Sequence, residues 1–175
     1  MNGKLSYSNE DDKCYGATGM AIGLMVFNGE DMLDSMNLDA NPGAIMDMRD
    51  MFYFNGNPGL SAKSAWQRIK ANYGLTVAML ISNVMCRSMV LDRSSVSAEM
   101  RQRIYEVVAE EGRESWGLDD DEISRIFNQE YTVLFRVFNH TGVHGIVHDF
   151  ADTFKRRRIM SRLEILEALR ALSTL

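Results

Sequence analysis

The sequence predicts an all-α protein, a compact, bundle-like array of about five to seven helices. Three observations predict it. Apolar residues recur at steps of three and four from residue 61 to the C-terminus. Both prolines, Pro42 and Pro58, lie in the first third, which leaves the rest free for long helices. No stretch alternates apolar with polar residues as a half-buried strand does. With 175 residues, 46% of them hydrophobic, the chain fits one domain with an ordinary core. Within it, residues 1–60 read as a looser segment packing on a helical body at 61–175.

The apolar run MAIGLMVF, Met20 to Phe27, reads as a buried helix, and GEDMLDSMNLD, residues 29–39, as a short second one with Met32, Leu33 and Met36 inward. Seven of the 13 methionines fall between Met20 and Met51, where flexible thioethers suit the filling of an irregular core. FNGNPGL, residues 54–60, is the expected joint. It precedes a helix but lacks a Walker lysine, so it is no phosphate cradle. Ser61 can cap a helix carrying Ala62, Ala65, Trp66 and Ile69 on one face, with Gly74 placed to end or kink it. Thr76 to Leu91 reads as the central buried helix, interrupted by Asn83 and Arg87 and short for a bilayer span.

Ser95 or Ser97 opens the next helix, whose stripe of Met100, Ile104, Val107 and Val108 fades around Gly112. The clearest helix follows. Asp119 caps it, and Asp120, Asp121 and Glu122 fill a first turn where the helix dipole favours anions. Ile123, Ile126, Phe127, Leu134, Phe135 and Phe138 form its apolar face. The acidic run is thus a helix start; it lacks the central glycine of a calcium loop. Residues 139–145 read as a turn, and Ile146, Val147, Phe150 and Phe154 resume helical spacing. Last come a Ser161/Glu164 capping box, a Met160/Ile165 staple and a seam of Leu163, Leu166, Leu169 and Leu172.

Composition narrows the function classes. A net charge of −5 gives no general attraction to nucleic acid or anionic lipid. Cys14 and Cys86 are too few for a disulfide framework, and MNGKLSYSNEDDK lacks the apolar core of a signal peptide, so a cytoplasmic setting is expected.

FNHTGVHGIVHDF contains every histidine: His140, His144 and His148. On a helix each step of four rises about 6 Å, so neighbours can chelate one ion whereas the outer two, about 12 Å apart, cannot share it. His144, His148 and Asp152 meet the same limit. No Glu-x-x-His pattern of a di-iron bundle occurs. Without an ion, His140 suits a helix C-terminus and His148 pairs with Asp152. No metal or cofactor is therefore expected. A metal-binding or acid/base enzyme using this cluster, with His144, His148 and Asp152 in the working roles, is the alternative.

KRRRIMSR contributes Lys155, Arg156, Arg157, Arg158 and Arg162. Residues 151–175 hold six basic and three acidic side chains, whereas residues 1–60 hold three basic and nine acidic. One use of the basic stretch is nucleic-acid binding by a regulator, but no aromatic or glycine-rich signature accompanies it. The other is a charge-complementary contact with the acidic N-terminal third, within the chain or across a dimer. The leading expectation is a protein that works by binding another protein or itself, possibly as a homodimer through surplus apolar surface, without catalysis and without a membrane.

Overall fold

The computed structural model describes residues 6–49, 52 and 62–175; the expected Ser61 cap and the joint at 54–60 lie outside them. Asn9 opens the first helix by accepting from the Asp12 amide, acidic residues fill the first turn, and α1 runs Glu10–Val26. Toward its neighbour α2, Ala62–Met85, it presents Gly16, Gly19 and Gly23. A Cβ at Gly19 would strike the Ser82 carbonyl oxygen, and one at Gly23 the Ser82 hydroxyl. The two helices therefore meet nearly backbone to backbone, and close packing offsets the cost of about 1 kcal/mol for each helical glycine.

α2 runs on into a π-helical segment, Cys86–Leu91. The joined stretch, Ala62–Leu91, is long and apolar enough to cross a membrane, yet 72% of its apolar window is buried inside the fold. The sequence predicted two helices broken near Gly74. Gly74 instead lies inside one helix, and its missing Cβ, which would come within 2.8 Å of Glu130 Oε1, makes room for that side chain. Gly112 repeats the pattern. Capped by Ser97, α3 runs Ala98–Trp116 straight through Gly112, where a Cβ would meet the Tyr73 hydroxyl at 2.8 Å. The helix stops at Gly117, whose φ of +65° suits glycine.

α4, Asp120–Asn139, starts at the expected Asp119 cap and buries Ile123, Phe127, Glu130, Leu134 and Phe138. Phe135, expected in the core, is 41% exposed because it sits one residue, about 100°, past Leu134. The turn expected over 139–145 shrinks to His140 alone, since α5 already begins at Thr141 and runs to Arg157. Val143, Val147, Phe150 and Phe154 carry it into the core, and the Cys14 thiol donates to the Ala151 carbonyl to tie α1 to α5.

A small sheet departs from the expectation of helices throughout. Residues 29–39, read as a helix, form a 3₁₀ turn at Glu30–Met32 followed by strand β1, Leu33–Asn37. β2, Met46–Met48, and β3, Ile159–Ser161, flank it antiparallel in the order β2-β1-β3. A bulge between Leu33 and Ser35 puts the buried Leu33 and Met36 on one face although they are three apart, which mimics helical spacing. Met36 opposite Met160 joins the chain's first third to its last. Ser161 and Glu164 close the capping box of α6, Arg162–Ala168, and both staple residues, Met160 and Ile165, are buried. Leu169 is buried too, but Leu163, placed by the sequence in the same seam, is 75% exposed.

Candidate functional site

The three histidines do not converge. His140 caps α5, its Nδ1 accepting from the Gly142 amide. His144 donates from Nε2 to the Phe138 carbonyl at 2.7 Å, a bond that closes the α4–α5 corner. His148 places Nδ1 2.7 Å from the Tyr15 hydroxyl, with the rings edge to face, and so bonds across to α1 rather than to Asp152, which is exposed. His144 and His148 do share a cleft of about 600 Å³ with Met89, Arg93, Ser95 and Phe135. Each ring nonetheless has a structural partner, and among the described residues no group of three His, Cys, Asp or Glu side chains could hold a metal.

The basic stretch meets the acidic N-terminal third within the chain. Lys155 pairs with Asp11; Arg158 spans Glu10 at 2.8 and 3.0 Å and Asp39; Arg162 reaches Asp31 at 2.5 Å and the Glu30 carbonyl at 3.1 Å. Hydrogen bonds from Arg158 hold both Glu10 and Asp39 below the usual carboxylate range. Arg157 pairs with Glu164, and only Arg156 is confined to its own helix, bonding the Asp152 carbonyl and Thr153. Exposed pairs of this kind contribute little each, but together with β3 they set how the C-terminal elements seat on α1 and β1.

Two polar sites escaped the sequence reading. Arg87, seen there only as an interruption, is 1% exposed. Its guanidinium grips Asp12 two-pronged, Nε to Oδ1 and Nη2 to Oδ2 both at 2.5 Å, donates to Asn83 Oδ1 and the Ser6 carbonyl, and lies 4.7 Å over the Tyr7 ring.

The second is Glu130, which α4 carries into the back of a cavity of about 460 Å³ walled by Phe27, Met32, Gly74, Leu75 and Ile126, with Lys70 and Arg125 also lining it. It is 7% exposed, and its Oε2 is buried with no hydrogen-bond partner among the described residues. Burial pushes the carboxyl up to about 9. The signal was present in the sequence: one carboxylate falls on the apolar track between Phe127 and Leu134. No family model, curated protein or solved structure matches this chain.

Because the folded state holds the Glu130 proton more tightly than the unfolded chain, its contribution to stability is full below the ordinary value of 4.5 and is lost as pH rises toward about 9. Glu130→Gln keeps the shape and cannot ionise. The melting temperature of the native protein should therefore fall relative to that variant between about pH 5 and 9 in scanning fluorimetry. A pH-independent difference would show that the carboxyl is ionised in the fold throughout.

Proposed function

We propose that this chain acts by binding and not by catalysis, that it does so in the cytoplasm, and that its partner is a second copy of itself. The observation that carries this is the rim formed by β3 and α6. Ile159 is 59% and Leu163 75% exposed, and Leu163 stands beside a groove of about 490 Å³ floored by Met160 and Ala168. Arg157, Glu164 and Glu167 edge the groove, so the rim bears both signs of charge and is complementary to itself. A two-fold axis that sets each Leu163 into the facing groove makes a closed, isologous contact. The engagement of every histidine and of most of the basic stretch by partners inside the chain supports association over chemistry. Sedimentation velocity at about 10 to 100 μM should show a concentration-dependent dimer, and Leu163→Glu, at a solvent-facing position that leaves the core intact, should shift it to monomer. A native protein that stays monomeric over this range overturns the reading.

A further inference from the structure

Glu130 is an expensive residue where it stands. Interior glycines weaken helices, yet α2 carries Gly74 where any side chain would press on this carboxyl, and among the described residues none donates to Oε2 across the cavity in front of it. An unpaired buried polar group destabilises the fold, so a carboxyl kept in this state invites a ligand that pairs it.

The chemistry of the walls narrows what that ligand is. Burial holds the proton on Glu130 at neutral pH. A neutral carboxyl presents an O–H donor beside a C=O acceptor. An ammonium ligand would have to displace the proton, and Lys70 and Arg125, the charged groups that α2 and α4 contribute to the cavity, would repel it. Tyr73, the nearest phenol on α2, turns away to donate to the Val108 carbonyl. A carboxamide or lactam edge offers the complementary acceptor and donor without any change of charge. An acidic group elsewhere on the same molecule would meet Arg125 and Lys70, the latter at a loose 3.7 Å from Glu122. We propose that the cavity at Glu130 is a binding site for a small amide-bearing acid, with the amide edge against Glu130 and the anionic group toward Lys70 and Arg125.

A matched set of benzene derivatives tests each half: 3-carbamoylbenzoate, isophthalate without the amide, benzamide without the acid, and 3-(aminomethyl)benzamide with the outer charge reversed. In calorimetric titration at pH 7, 3-carbamoylbenzoate should bind about tenfold or more tighter than each of the others. Its affinity should fall as pH rises through about 9. Glu130→Leu should abolish binding. Glu130→Gln, whose amide offers the same pair of groups, should keep it and lose the pH dependence; it decides the matter if the leucine variant fails to fold. Equal affinity for amide and acid, preference for the ammonium compound, indifference to Glu130→Leu, or no binding of any of the four at millimolar concentration would each overturn the proposal. Dimerisation at Leu163 is measured separately and stands or falls without it.

Discussion

Arg87→Ala should lower the unfolding free energy by about 3–5 kcal/mol in urea denaturation. The cost arises less from the lost contacts than from what remains. Asp12 is 4% exposed, and removing the guanidinium leaves it charged in the interior without its two-pronged cationic partner, while the Ser8 amide still reaches its Oδ2 at 2.9 Å. Asn83 Oδ1 and the Ser6 carbonyl lose donors at the same time, and Tyr7 loses the cation above its ring. Removing both charges avoids the orphan. The double replacement Arg87→Met with Asp12→Leu should therefore recover most of the loss, since buried pairs exchanged for apolar residues of similar volume are often neutral or stabilising. A single-variant loss under about 1 kcal/mol would mean that water reaches the pair. Because Ser6, Tyr7 and Ser8 all meet the Arg87–Asp12 pair, the variant should also expose this segment to proteolysis before the rest unfolds.

The helical class and the caps at Ser97, Asp119 and Ser161 were legible because local chemistry decides them. Asp119, Ser97 and the Ser161/Glu164 box act within three residues, and no distant packing overrides them. What was not legible depended on partners far along the chain. Gly74 and Gly112 look like stops in sequence, and both are passages: one admits Glu130 from α4, the other the Tyr73 hydroxyl from α2. Leu33 and Met36 carry a helical spacing that a bulged strand meets equally well. His148 has Asp152 one turn away, yet Tyr15 from α1 reaches it first. The two most consequential polar side chains, Arg87 and Glu130, appeared as flaws in apolar patterns. Such flaws are where the interior holds a charge or a proton, and charge counts over the whole chain average them away. The charge asymmetry of the two ends, by contrast, was readable, because Lys155, Arg158 and Arg162 find their carboxylates on α1, the turn before β1 and the loop after it.

The same distinction separates two neighbouring phenylalanines of α4. Phe138 is fully buried, on the track that runs through Ile123, Phe127, Glu130 and Leu134, while Phe135 is 41% exposed at the wall of the histidine cleft. Phe138→Ala should cost about 3–5 kcal/mol, the sum of lost transfer energy and the cavity left in a core that relaxes only in part. The loss extends beyond packing, because the Phe138 carbonyl accepts the His144 ring and any shift of this turn strains the α4–α5 corner. Phe135→Ala removes a ring that water already touches and opens no enclosed void, so it should cost about 1 kcal/mol or less. Helical period alone ranks the two as equals, both lying on the apolar side of the sequence pattern. The packing makes them unequal, since α4 offers only a narrow inward stripe to α2, α3 and α5 and a residue about 100° off that stripe falls outside it. Chemical denaturation of both variants under one set of conditions checks this. Equal losses would place Phe135 in the core and the histidine cleft in the closed interior, whereas the expected ratio leaves Phe135 free to be altered without loss of fold.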